Sequence, residues 1–326
     1  MDKKSRILVT GASGLVGSAI VRELLNQGYD DIIEVSSQYM RRGEISYDNG
    51  GFDLRYENNV DKIFKKYSPQ YVINAAGKVG GIHANNTYSA EFTYDNILMQ
   101  TNIIHACYRY NVRKLLLLGS SCIYPKFCGQ PIKENMLLSS YLEPTNMGYA
   151  IAKISAIVMA RMYNKQYGSN FISAMPTNIY GPGDNFDISN SHVLPAMIRK
   201  FHEAKVHDIK SVELWGTGVP TREFLYVDDL SNAVVFLMNN YTDCKEHVNI
   251  GSGFEISIKD LALLVRDVVD YDGKIFWNID YPDGTPRKLL DSTKLNNLGW
   301  KPKISLETGI KQTYDWFVNN YQKIRK

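Results

Sequence analysis

The stretch 6–28 constrains this chain more than any other. Arg6-Ile-Leu-Val-Thr10 reads as a strand and runs directly into Gly11-Ala-Ser-Gly14-Leu-Val-Gly17. Val16, Ile20 and Leu24 then fall at helical spacing until Gly28 stops them. A strand, a glycine-rich turn and a helix in that order make a phosphate cradle. Gly11 permits the tight turn, Gly14 lets the backbone approach a pyrophosphate, and Gly17 lets the helix lie close to the sheet. The helix start adds unpaired N–H groups and the positive end of its dipole. Ser13, Leu15 and Val16 belong to the same turn and count with the glycines as cofactor contacts. The spacing is Gly-x-x-Gly-x-x-Gly, one residue longer at its start than the commonest dinucleotide fingerprint.

The alternation continues downstream. Residues 31–35, 71–74, 114–118 and 171–175 read as strands, and 60–67, 88–110 and 149–167 as helices. Such alternation implies right-handed βαβ units and a parallel sheet covered on both faces, an α/β, Rossmann-like doubly wound fold. In the second half 190–204, 227–240, 257–269 and 306–319 read as helices, with short strands such as 212–214 and 248–250 between them. The expected division is a Rossmann domain over 1–180, to which 226–252 returns, and a smaller α+β substrate domain over 181–225 and 253–326. Gly181-Pro-Gly183 and Pro282-Asp-Gly-Thr-Pro286 read as loops over the site.

Composition removes several alternatives. Lys and Arg total 37 against 34 Asp and Glu, a balance that gives no reason to expect a nucleic-acid groove or a polybasic membrane anchor. No apolar run approaches the roughly 20 residues of a membrane span. No signal-peptide core precedes the first strand, so a cytoplasmic protein is expected. Cys107, Cys122, Cys128 and Cys244 do not make a disulfide scaffold in a chain of 326 residues. There is no Cys-x-x-Cys or His-Glu-x-x-His, and no metal site is expected.

NAD-preferring sites place a carboxylate at the tip of the second strand. Here that tip is Val35-Ser36-Ser37, followed by Arg41-Arg42. Ser36, Ser37 and Arg41 suit a 2′-phosphate, so NADP(H) is expected. Tyr followed four residues later by Lys occurs at 110/114, 149/153 and 241/245. Only Tyr149/Lys153 opens a long helix, where both share a face, and only it follows a strand tipped with hydroxyls, Gly119-Ser120-Ser121. A nearby ammonium lowers the pKa of a phenol, the same Lys153 can hold the nicotinamide ribose, and Ser120 can bond a substrate oxygen. A ketone reduction follows from these groups.

With these residues the chain resembles the extended short-chain dehydrogenase/reductase family. Within it, several segments look like the GDP-L-fucose synthases: Lys78-Val-Gly-Gly-Ile82, Ala84-Asn-Asn-Thr-Tyr88, Gly119-Ser-Ser-Cys-Ile-Tyr-Pro125 and Pro176-Thr-Asn178. So do Asp184-Asn-Phe186, Asn190-Ser-His-Val193, Trp215-Gly-Thr-Gly218, Arg222-Glu-Phe224 and Asp283-Gly-Thr-Pro-Arg-Lys-Leu-Leu-Asp291. The main departure is 38–54, longer than the usual turn after the second strand. Cys122 stands two residues after Ser120, on the same side if the strand continues. The resemblance makes Cys122 the base and His192 the acid of an epimerisation at carbons 3 and 5 of a 4-keto sugar. It makes Pro176, Asn178, Ile179 and His192 cofactor contacts. It places Lys200, Trp215, Arg222, Asp283 and Lys288 around a GDP-4-keto-6-deoxy sugar.

The implied activity is conversion of GDP-4-keto-6-deoxy-D-mannose to GDP-L-fucose with NADPH. The alternatives are a C4-reductase or epimerase of a related GDP-keto sugar such as a 6-deoxy-heptose, an NAD-dependent sugar-nucleotide 4-epimerase, and a non-catalytic NADP-sensing module. The family commonly dimerises through its two long helices. Ala152, Ser155, Ala156 and Met159 offer small and apolar positions for a homodimer.

Overall fold

The computed structural model describes residues 1–37, 40–42, 45–48, 52–188, 190–243, 245–281 and 283–324, and of 40–42 and 45–48 the backbone alone. Strand β1 (Ile7–Thr10) is entirely buried, with Ile7 and Val9 in one core and Leu8 in the other, as strand alternation requires. Helix α1 (Leu15–Asn26) buries Ile20 and Leu24 against the first of these cores. Strand β2 (Ile32–Val35) runs parallel to β1. The long turn that follows holds an antiparallel hairpin, β3 (Met40–Arg42) and β4 (Ile45–Asp48), which extends the sheet edge.

The chain continues through α2 (Glu57–Tyr67), β5 (Tyr71–Asn74), α3 (Ile82–Thr87), α4 (Ser89–Arg109), β6 (Lys114–Leu118), α5 (Met147–Tyr167) and β7 (Phe171–Pro176). The helix expected over 88–110 is thus preceded by a separate short one, the two breaking at Tyr88, whose ψ of 35° departs from the helical value. The strand expected to carry Ser120 and Cys122 on one side ends at Leu118. Ser121–Ile123 is a single 3₁₀ turn, and the Ser120 hydroxyl accepts the Cys122 N–H at 3.3 Å. The serine thus caps the turn that displays the thiol.

After β8 (Asn178–Tyr180), α6 (Val193–Val206) and β9 (Ser211–Trp215) come β10 (Thr221–Tyr226), α7 (Val227–Asn240) and β11 (Val248–Ile250). The chain ends with β12 (Glu255–Ser257), α8 (Ile258–Val269), β13 (Lys274–Asn278), β14 (Arg287–Lys288), α9 (Thr293–Asn297) and α10 (Leu306–Asn320). The large sheet has the order β11-β7-β6-β5-β1-β2-β3-β4, its first six strands parallel. On one face α1 and α7 share a core containing Leu230 and Val234, and on the other α2, α4 and α5 bury Phe64, Ile104 and Ala156. A smaller sheet gathers β8, β10, β12 and β14, and β9 pairs with β13. α6, α8 and α10 close a third core around Phe186, Phe201 and Phe317.

Candidate active site

The phosphate turn sits at the carboxyl end of β1. Gly11 has φ +70°, the left-handed region open to glycine. A Cβ on Gly17 would lie 2.1 Å from the Gly11 carbonyl oxygen, and one on Gly11 would lie 2.8 Å from the Ala75 carbonyl. Gly14 caps α1 without a side-chain bond, so the helix start faces outward with its N–H groups free of side-chain partners. This cradle fits a dinucleotide pyrophosphate. Beside it Ser36 is buried and Ser37 exposed, and no carboxylate stands at the tip of β2. The side chain of Arg41 lies outside the described residues, as does Cys244. Gly17→Ala is expected to weaken NADPH binding by tenfold or more, about 1.4 kcal/mol, because the new methyl collides with the turn itself. Quenching of NADPH fluorescence measures it, and an unchanged affinity would remove the cradle from the site.

One further turn lines the same path. Asn74-Ala-Ala-Gly77 leaves β5 beside Gly11, and a Cβ on Gly77 would lie 3.1 Å from Asn96 Oδ1 and 3.6 Å from Lys153 Nζ. It therefore lies between the phosphate turn and Lys153. Sequence reasoning passed over it, although a glycine just after a buried strand marked it.

Tyr149 and Lys153 lie one helical turn apart on α5, with Lys153 Nζ 5.7 Å from the Tyr149 ring centroid. Lys153 is 5% exposed and donates to the Leu118 carbonyl at 2.8 Å. Burial lowers its ammonium to about 8. The expected lowering of the Tyr149 phenol is overturned. Burial raises it, the charge of Cys122 raises it further, and the Ser120 hydroxyl opposes the rise. Lys153 spends its contact on Leu118 and stands by the ring, so desolvation wins. The phenol is therefore held protonated in this state, as a proton donor requires. Phe92 packs edge-on to it at 6.5 Å and 72°.

Cys122 is partly exposed, and Lys288 Nζ donates to its sulfur at 3.9 Å. His192 is the extended N-cap residue of α6, which starts at Val193 and not at 190. The residue is exposed, yet the surrounding protein and then Lys288 push the imidazole below its ordinary value. One lysine thus stands in electrostatic reach of both groups. Arg222 pairs in register with Lys288 across β10 and β14. Burial lowers its pKa, and the charges of Cys122, Asp283 and Glu143 oppose that.

The other substrate candidates fall into two groups. Arg222 donates to the Thr221 and Asp283 carbonyls at 2.8 and 3.3 Å. The Asp283 carboxylate is engaged by Thr217, accepting its N–H at 2.8 Å and its hydroxyl at 2.7 Å, so it braces the turn after Trp215. Lys200 donates to the Glu213 carbonyl at 2.9 Å and lies 5.1 Å over the Trp215 ring. Tyr281, which sequence reasoning missed just before a loop signal, stacks on Trp215 at 4.3 Å and 8°. Pro176 ends β7, and Asn178 and Ile179 lie in β8. Glu223, fully buried, ties these parts together. Its carbonyl accepts from Thr177 Oγ1 and Asn178 Nδ2 at 3.1 and 2.7 Å. Its carboxylate accepts the Gly253 and Leu290 N–H groups at 2.7 and 3.0 Å.

Among the described residues no group of three His, Cys, Asp or Glu side chains is arranged for a metal ion, and no helix is long and apolar enough to cross a membrane. Residues 7–251 match the NAD dependent epimerase/dehydratase family. The chain is 54% identical over 319 residues to GDP-L-fucose synthase 1 of Arabidopsis thaliana, covering 98% of this chain and 95% of that protein. It is 46% identical over 330 residues to the GDP-L-fucose synthase of Escherichia coli, covering 99% of each. A solved GDP-L-fucose synthetase of Naegleria fowleri, bound to NADP, superposes with a TM-score of 0.87 at 28% identity, covering 100% of this chain and 98% of that one. The chain belongs to the NAD dependent epimerase/dehydratase family.

Proposed function

We propose that this member of the family is a bifunctional epimerase/reductase that converts GDP-4-keto-6-deoxy-D-mannose to GDP-L-fucose with NADPH. The observation that carries the reading is the thiol of Cys122 beside Lys288, in a cleft shared with Tyr149. A plain ketone reducer needs Ser120, Tyr149 and Lys153 but no such thiol. The carbon-4 ketone acidifies the C–H bonds at carbons 3 and 5. Cys122 as thiolate takes a proton from one face, leaving an enolate whose oxygen Ser120 and Tyr149 hold. His192 returns a proton to the opposite face with inversion. A positioned acid–base pair contributes about 10²–10⁴-fold. Bound NADPH supplies the hydride that reduces carbon 4, and Tyr149 protonates the resulting oxygen.

Lys153 holds the nicotinamide ribose, Asn178 and its neighbours line the cofactor, and Arg222 and Lys288 clamp the diphosphate. Lys200 and the Trp215–Tyr281 stack flank the nucleotide. The cofactor part is 1–180 with 226–252, and the substrate part is 181–225 with 253–326. The enzyme works in the cytoplasm as a homodimer through α4 and α5. Of the expected α5 positions Ser155 is exposed, in line with the exposed Ile151, Val158 and Met162, while Ala152 and Ala156 are buried and Met159 packs on the core.

The product's configuration, read by NMR after incubation with the keto sugar and NADPH or NADH in parallel, tests the reading. Inversion at carbons 3 and 5 with NADPH preferred supports it. A reduced sugar that keeps the substrate's configuration overturns the epimerase half.

A further inference from the structure

The Gly80–Gly81 turn touches three walls of the cleft and belongs to none of the groups assigned above. The Gly81 N–H donates to the Asn190 carbonyl at 3.0 Å, two residues before His192. A Cβ on Gly81 would stand 2.6 Å from the Ser191 carbonyl oxygen. The backbones therefore meet at a distance that any side chain would deny. On its other side, a Cβ on Gly80 would lie 3.2 Å from the tip of Phe92, the ring set edge-on to Tyr149. Just beyond the turn, Ile82 approaches Gly284, next to Asp283.

The turn is itself held by one buried side chain. Asn85 Nδ2 donates to both the Gly80 and Gly81 carbonyls, at 2.7 and 3.0 Å. Its backbone N–H adds a third bond to the Gly81 carbonyl at 3.1 Å. The cap of α3 is thus clamped from inside the helix, and the clamp is 7% exposed. The side chain of His192 makes no capping bond to the start of α6, and besides Gly81 the segment before it is held by Asp187, which accepts the Asn190 and Ser191 N–H groups at 2.8 and 2.9 Å.

We propose that Gly81 and Asn85 are positioning residues that set the His192 face of the pocket, and that they govern inversion separately from hydride transfer. This rests on the reading that His192 returns the proton. A side chain at 81 pushes the 190–192 backbone away from the turn, and the imidazole moves with it. A shift near 1 Å in a reacting group costs about 10²-fold. Cys122 is untouched by that shift. Its thiol exchanges with solvent and can hand a deuteron back to the face it came from, giving label without inversion.

The experiment incubates the keto sugar in deuterated buffer without NADPH and follows both label and configuration at carbons 3 and 5. The variants are Gly81→Ala and, in case that one fails to fold, the isosteric Asn85→Asp, which removes both donors. His192→Asn is the reference for a missing acid. In the positioning variants inversion is expected to fall about 10²-fold while label continues to enter with retention, as in His192→Asn. Label and inversion falling in parallel, or neither changing, would overturn the assignment. A wild-type enzyme that labels without inverting would instead overturn the epimerase reading itself.

Discussion

Tyr149→Phe is expected to lose NADPH oxidation by about 10²–10⁴-fold, the contribution of a positioned proton donor. The change removes one oxygen and keeps the ring that packs against Phe92, so the fold of α5 has no reason to move. In the proposed reaction the phenol is the proton source; burial raises its pKa above the ordinary value, and the Ser120 hydroxyl opposes the rise. Deuterium from solvent should still reach carbons 3 and 5, though more slowly, since Cys122 and His192 remain while the enolate oxygen keeps Ser120 and loses the phenol. Absorbance at the NADPH band reads the first effect and NMR the second. A full rate of oxidation in the variant would refute the assigned donor.

Cys122→Ser should produce the complementary loss. An alcohol is a far weaker acid than a thiol, whose ordinary pKa is near 8.5, so the neighbouring Lys288 cannot make an effective base of it. Label entry at carbons 3 and 5 is expected to fall by about 10²–10⁴-fold. Any NADPH then consumed yields a sugar with the substrate's configuration at both carbons. Unchanged labelling would reduce Cys122 to a packing residue. The two variants together separate the chemistries: one keeps exchange without reduction, the other keeps reduction without exchange.

Much of the nucleotide half was legible because its signals are local. The continuous apolar run of β1, the glycines that follow it and the spacing of Ile20 and Leu24 each depend on neighbours a few positions away. Helix α7 matched its expected bounds for the same reason. The second half was less legible. β12 and β14 are short, and their pairing with β10 joins positions far apart in sequence, such as Arg222 with Lys288. The geometry expected to bring Cys122 beside Ser120 does not hold. A strand was assumed, and the hydroxyl of Ser120 instead folds the chain into a turn. The Tyr149 error has another origin. A cation four residues away is visible in sequence, whereas desolvation is summed over everything packed around the ring. Tyr281 was hidden because its stacking partner lies far away in the chain.

Glu223 has a consequence for how the molecule comes apart. A carboxylate sealed from water is tolerable only while its partner N–H groups stay in place. Those partners belong to segments at 253 and 290, and its carbonyl serves 177 and 178. Melting the part that holds 253 and 290 would strand that charge in a dry interior, and melting the part that holds 177 and 178 would take both donors from the same residue's carbonyl. Heat should therefore dissolve both lobes in one cooperative step, and a ligand that tightens either lobe should delay the collapse of both.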